Sequence, residues 1–162
     1  YLVADAAQIT GGLGPEPLAD DFTPEAWAER LSAHRRQIKP LLLEQRFIAG
    51  LGNIYVDESL WLAGLHPARR SDTLTEPEAR RLYEAIRFVL ANAVQHKGTT
   101  LRDYRGARDE PGEFRALLAV YGRAGEPCRR CGQPLAPAQL AGRGTYLCPH
   151  CQRLDTAPPN RR

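Results

Sequence analysis

The sequence predicts a mainly α chain that ends in a small β-hairpin, and two observations carry the prediction. Apolar residues recur at three- and four-residue spacing in several stretches before residue 122, each bounded by capping residues, glycine or proline. Beyond them lie four cysteines in two Cys-x-x-Cys pairs, Cys128/Cys131 and Cys148/Cys151, with sixteen residues between the inner two. Two such knuckles bring four thiolates to one ion, and four sulfur ligands in a tetrahedron are what structural zinc takes. The alternative is a pair of disulfides. Two-residue spacing is poor for a bridge within a knuckle, and nothing in the chain suggests secretion. Four protein ligands leave no open position for water, so the Zn2+ is expected to hold the fold and do no chemistry.

Residues 1–21 begin strand-like (Tyr1-Leu2-Val3-Ala4) and pass into a loop with Gly11-Gly12, Gly14-Pro15 and Pro17. The chain has no methionine and starts at Tyr1, so this stretch is expected to be the end of a missing N-terminal domain and its linker. Thr23 then offers an N-cap, Pro24 suits a first helical turn, and Glu25 suits the positive helix end. A helix to about His34 follows, with Trp27 and Leu31 on one face and Trp27 expected in the core. Arg35-Arg36-Gln37-Ile38-Lys39-Pro40 places three cations before Pro40, which starts a second helix running from Leu41 to about Ile48. Gly50-Leu51-Gly52 makes a tight turn, Asn53 is the expected N-cap, and Ile54 to Ala63 forms a third helix closed by Gly64. Two apolar helices joined by a glycine turn resemble a helix-turn-helix, and the exposed N–H groups of the second helix suit a phosphate. The same Gly-x-Gly-Asn run also fits a purely structural turn.

Thr75 and Glu78 match a capping box. After it Ala79, Leu82, Ile86, Val89, Leu90 and Ala93 form the apolar stripe of a long helix to about Lys97, ended by Gly98. His66 and His96 have no spaced partners and are expected to be ordinary polar residues. Thr99 to Glu113 is polar and long for a connection within a compact domain. Phe114 to Tyr121 regains helical apolarity. Between the cysteine knuckles, Thr145-Tyr146-Leu147 is strand-like, which makes the segment a zinc-stapled hairpin. From Cys128 onward stand six arginines against one acid, Asp155. Arg143 sits between Gly142 and Gly144, where the backbone could press close to a phosphate while the guanidinium forks onto it. A solvated surface charge is the plainer reading of Arg143, and its place on a basic hairpin favours the phosphate. The tail after Gln152 is expected to be disordered.

The 162 residues carry a net charge of +3 and are 43% hydrophobic, enough for a core. No apolar run is long enough to span a bilayer and no signal-peptide pattern is present, so a cytoplasmic protein is expected, with no membrane partner.

Several motifs then stand in a familiar order. They are Ile38-Lys39-Pro40 to Gln45, Gly50-Leu51-Gly52-Asn53-Ile54-Tyr55, Glu58-Ser59-Leu60, His66-Pro67, Gly98-Thr99-Thr100-Leu101, Tyr121-Gly122-Arg123, Gly125-Glu126-Pro127-Cys128 and the closing hairpin. Together they resemble the formamidopyrimidine-DNA glycosylase family over roughly Leu13 to Gln152. Gly-Thr-Thr-Leu and Tyr-Gly-Arg favour that branch over the endonuclease VIII branch.

The resemblance implies a helix-two-turns-helix DNA-binding domain over 22–122, a four-cysteine zinc finger over 123–152 and a tail over 153–162. It also implies a catalytic N-terminal β-sandwich that this chain lacks. The parent activity it implies is a bifunctional glycosylase and AP lyase. Such an enzyme flips an oxidised purine such as 8-oxoguanine or a formamidopyrimidine from duplex DNA, cuts the glycosidic bond, and nicks the strand by β- and δ-elimination in base-excision repair. The nucleophile implied is an N-terminal proline, which Tyr1 is not, so the chain alone is expected to be inactive.

By motif, Arg35, Lys39, Asn53, Tyr121 and Arg143 are the implied DNA contacts, and Arg143 is the implied participant in δ-elimination. Thr99 to Glu113 matches the loop that closes over the flipped purine. The implied partner is double-stranded DNA containing an oxidised base, met by a monomer at the nucleoid. Two alternatives stand beside this reading: an endonuclease VIII-like enzyme for oxidised pyrimidines, and a non-catalytic zinc-ribbon module that binds nucleic acid or protein.

Overall fold

The computed structural model describes residues 13–95 and 118–154. Its elements are α1 (Pro24–Ser32), α2 (Ile38–Leu42), α3 (Asn53–Ala63), a 3-10 turn (Ser71–Thr73), α4 (Glu76–Gln95), and an antiparallel pair β1 (Ala136–Leu140) and β2 (Arg143–Leu147). The expected extension of α4 to Lys97, together with His96, Thr99 to Glu113, residues 1–12 and the tail from 155, lies outside the described residues.

The helical layer forms as its capping signals direct. Thr23 Oγ1 accepts the Ala26 N–H at 3.1 Å and starts α1. At α4 the capping box closes both ways: the Thr75 N–H donates to Glu78 Oε1 at 2.8 Å and the Glu78 N–H to Thr75 Oγ1 at 3.3 Å. Glu78 also holds the buried Arg69, at 2.8 and 3.0 Å, which draws the loop before α4 onto the helix. Trp27 is fully buried between Phe22 and Phe47, with ring centroids 5.5 and 5.4 Å away. Leu31, Ile38, Leu41, Leu42, Val56, Leu60, Leu82 and Ile86 complete this core. Of the stripe expected on α4, Val89 and Ala93 line an open groove with Leu62, Phe88 and Leu118 instead.

Two helices differ from their sequence expectation. Helix α2 begins at Ile38 and stops at Leu42, rather than running from Leu41 to Ile48. Its start is fixed from outside, since the Ile38 N–H donates to Arg69 O and the Lys39 N–H to Pro67 O. Its end is taken up by tertiary bonds that replace the helical ladder. The Gly14 N–H donates to Gln45 O at 2.7 Å, Ala49 to Pro15 O at 3.0 Å, and the Gln45 amide bridges Gly50 N and Leu51 O. The approach at Gly14 is so close that a Cβ would stand 2.3 Å from the Phe47 carbonyl carbon, so no other residue fits.

In the second case Gly52, not Asn53, is the N-cap of α3, and Asn53 is the first helical residue. At the other end Gly64 closes α3 in the left-handed conformation (φ 75°), as expected.

Helix α3 is apolar nearly all round because it is covered twice. One side packs on α4, and the other meets the hairpin, toward which it presents the buried Asp57, while the buried Glu58 faces residues 119–121. The two strands register Ala136 with Leu147 through Leu140 with Arg143. Ala141 and Gly142 turn between them at positive φ (53° and 77°), the two-residue turn whose twist suits a hairpin.

Candidate nucleic-acid interface and zinc centre

The first knuckle is built by backbone bonds. The Cys128 N–H donates to Gln133 O and the Gly132 N–H to Cys128 O, which folds the two cysteines toward each other. In the second, Gln152 N–H donates to Cys148 O and the buried Gln152 side chain accepts from the Cys148 N–H. Gln152 also donates to Leu65 O at 2.9 Å, tying the knuckle to the loop after α3.

The four sulfurs lie within 4.8 Å of one another, with Cys131–Cys148 at 3.5 Å and Cys128–Cys151 at 3.9 Å. A disulfide needs about 2.05 Å, whereas a tetrahedron of zinc–sulfur bonds of about 2.3 Å has edges of about 3.8 Å. The spacing therefore fits one structural Zn2+ held by Cys128, Cys131, Cys148 and Cys151, with no open position. Burial pushes the Cys128 thiol up, but N–H donors from Arg130, Cys131 and the Trp61 indole outweigh it and bring it down to about 6. Cys148 is pushed up to about 12 by burial and by the neighbouring sulfurs.

The finger is joined to α3 by a polar seam. Lys39 is completely buried, and its ammonium donates to Asp57 Oδ1 at 2.8 Å, Thr145 Oγ1 at 2.9 Å and Gly144 O at 3.1 Å. The other Asp57 oxygen accepts the Tyr146 N–H at 3.0 Å. Burial lowers the Lys39 pKa while the Asp57 charge opposes the shift and nearby Arg143 adds to it. Burial likewise raises the Asp57 carboxyl to about 6 against the pull of Lys39. All three ammonium donors are thus engaged within the protein, where Lys39 holds the hairpin beside the helix.

Asn53, at the start of α3, donates to Gly144 O at 3.1 Å and to the Tyr121 hydroxyl at 3.3 Å. The Tyr121 ring meets Tyr146 edge-on at 5.0 Å. Residues 118–121 are not the helix that apolarity suggested, because the Glu58 carboxylate takes the N–H groups of Ala119, Val120 and Tyr121 at 2.7–2.9 Å and bends the chain around itself. Four of the expected contact residues are therefore gathered at one junction: Lys39 inside it, Asn53 and Tyr121 at its edge, and Arg143 one residue before Gly144.

Arg143 is exposed, and its guanidinium has no hydrogen-bond or ion-pair partner among the described residues. Arg35 is exposed in the link between α1 and α2, without a hydrogen bond to the junction. No side chain caps α3, so its positive dipole end stands uncompensated beside these groups. His66 is a turn residue whose Nδ1 accepts the Ala68 N–H.

Sequence reasoning missed Asp57, Glu58 and Gln152. A weak signal existed for the first two: consecutive acids inside an otherwise apolar helix need partners.

Comparison with known proteins agrees with this geometry. The profile described as the Formamidopyrimidine-DNA glycosylase H2TH domain matches residues 13–105, more than half of the chain. The chain belongs to the formamidopyrimidine-DNA glycosylase family. A second profile, the zinc finger found in FPG and IleRS, matches residues 125–154. The formamidopyrimidine-DNA glycosylase of Herpetosiphon aurantiacus is 51% identical over 146 residues, which are 90% of this chain and 54% of that protein.

Among solved structures, the MutM (Fpg) protein of Thermus thermophilus superposes with a TM-score of 0.77 at 49% identity, over 87% of this chain and 54% of that one. The Lactococcus lactis Fpg complexed with abasic-site DNA does so with a TM-score of 0.81 at 40% identity, over 93% and 55%. The chain thus spans about half the length of the formamidopyrimidine-DNA glycosylases it matches. Among the described residues no helix is long and apolar enough to cross a membrane.

Proposed function

We propose that this chain is the DNA-gripping half of a bifunctional DNA glycosylase and AP lyase of base-excision repair. The parent enzyme excises oxidised purines such as 8-oxoguanine and formamidopyrimidines and nicks the strand by β,δ-elimination. The division at residues 22–122 and 123–152 separates helical and zinc-finger parts of one grip, and the nucleophile is an N-terminal proline outside these residues. The observation that carries the reading is the junction itself: an uncapped helix end, Asn53, Tyr121 and the unpartnered Arg143 meet on the seam between α3 and the zinc hairpin.

Flipping a base costs a few kcal/mol of stacking and pairing, which backbone contacts on both sides of the lesion must offset. Asn53 and the α3 terminus supply one contact and Arg143 another, with Tyr121 setting the Asn53 amide and Arg35 extending the path. Lys39 and Asp57 fix the spacing between the two contacts without touching DNA. Arg143 is also the residue placed to assist δ-elimination. The enzyme works as a cytoplasmic monomer on nucleoid DNA.

Borohydride trapping on a duplex with one 8-oxoguanine tests the division of labour. The full-length protein is expected to become covalently linked, while residues 1–162 bind the duplex, trap nothing and leave it uncut. Strand cleavage by residues 1–162 alone contradicts the proposal, as does a full-length protein that binds and neither traps nor cleaves.

A further inference from the structure

Helix α3 meets the zinc finger at both ends. At its start the seam runs through Asn53 and Asp57; near its end Trp61 reaches the metal centre directly. The Trp61 indole N–H donates to Cys128 Sγ at 3.3 Å, beside the Arg130 backbone N–H, which donates to the same sulfur at 3.3 Å. The Arg130 guanidinium lies over the indole at 4.1 Å and donates to the Trp61 carbonyl oxygen, in the last turn of α3. Residues of the first knuckle and of the helix thus hold each other through one sulfur and one ring.

We propose that Trp61 and Arg130 form an outer clasp on the zinc centre, in which the indole N–H directs Cys128 Sγ toward the metal and slows metal loss. Trp61 is a positioning residue: it acts through Cys128 and does not touch the ion. An N–H donor on a metal-bound thiolate takes up part of its charge and fixes its direction, and losing such a partner typically weakens metal binding by about 10–100-fold. Arg130 supports the indole by stacking and by its bond to the helix end. The clasp joins the finger to the same helix whose start carries Asn53, so the centre and the DNA junction share one rigid support. It stands independently of the glycosylase reading.

The test uses the whole zinc-loaded chain and its cobalt(II)-substituted form. Trp61→Phe is expected to release zinc to a competing chelator about tenfold more readily. Its sulfur-to-cobalt charge-transfer band should move to longer wavelength, because a sulfur without the hydrogen bond gives up its electron more easily. Arg130→Ala should release zinc more readily by a smaller factor.

A second form covers a Trp61→Phe chain that folds poorly. Tryptophan is replaced throughout by its benzothienyl isostere, which keeps the ring shape and lacks the N–H. The other tryptophan is silent here, since Trp27 Nε1 has no hydrogen-bond partner. The isostere should reproduce both the faster release and the band shift. Unchanged release overturns the proposal, and so does faster release with an unmoved band, which reduces the indole to packing.

Discussion

The helical layer and the zinc finger are held together by different means. The layer buries a continuous set of aliphatic and aromatic side chains around Trp27, Leu41, Leu60 and Ile86. The finger has only a small cluster, Ala119, Val120, Cys128, Leu135 and Cys148, with Trp61, Tyr146 and the remaining cysteines around it. Such a cluster is too small to fold a hairpin by burial alone, and metal plus buried polar bonds take its place. The layer is therefore expected to tolerate metal loss, whereas the finger depends on the ion and on the seam through Lys39 and Asp57.

Removing zinc should separate the two regions most sharply. With a strong chelator, backbone amides of 125–154 are expected to exchange with solvent, while those of α1 and α4 stay protected. Zinc in comparable fingers contributes folding free energy on the order of 10 kcal/mol. Hydrogen-exchange mass spectrometry reads the difference, and uniform loss of protection would show that the layer leans on the metal as well.

The seam comes next in size. Lys39→Met leaves Asp57 buried without its partner and should cost about 3–5 kcal/mol in denaturant unfolding, whereas the double change Lys39→Met with Asp57→Leu should recover much of it. Equal losses in the single and double variants would mean that Lys39 acts by hydrogen bonding the hairpin rather than by balancing Asp57.

A smaller effect follows from the Asp57 carboxyl, which burial raises from 3.8 to about 6. The folded form then takes up this proton before the unfolded form does. The contribution of Asp57 to stability is fully present below about pH 4 and is lost as pH rises through about 6. Glu78 runs the other way: burial raises its carboxyl, but bonds from Arg69 and Thr75 outweigh this and hold it below the usual value, so its contribution is lost as pH falls. Comparing the urea midpoint of the wild-type chain with that of Asp57→Asn between pH 4 and 7 isolates the first term. The variant should lack the decline toward neutral pH, and parallel curves would remove Asp57 as its source.

How much of this was legible in the sequence depended on whether the signal was local. Thr23, the Thr75–Glu78 box, Gly64 and the cysteine spacing each act within a few residues, and each appears where the sequence put it. The short α2 did not show, because Arg69, Pro67 and Gly14 decide it from elsewhere in the chain. Lys39 illustrates the same limit at the site. Its place beside Pro40 and three residues from Arg36 looks like a basic surface, and only the tertiary fold reveals Asp57, Gly144 and Thr145 around its ammonium. Arg143, isolated between glycines at the start of β2, kept the exposure its neighbours implied.

The most direct test of the grip is the salt dependence of duplex DNA binding by the zinc-loaded chain and by Arg143→Ala. Each phosphate contact contributes about −0.9 to the slope of log K against log salt. Arg143→Ala should bind more weakly with a slope shallower by about one contact, its fold unchanged. Weaker binding with an unchanged slope, or no change at all, would contradict a grip on phosphate at the junction of α3 and the zinc hairpin.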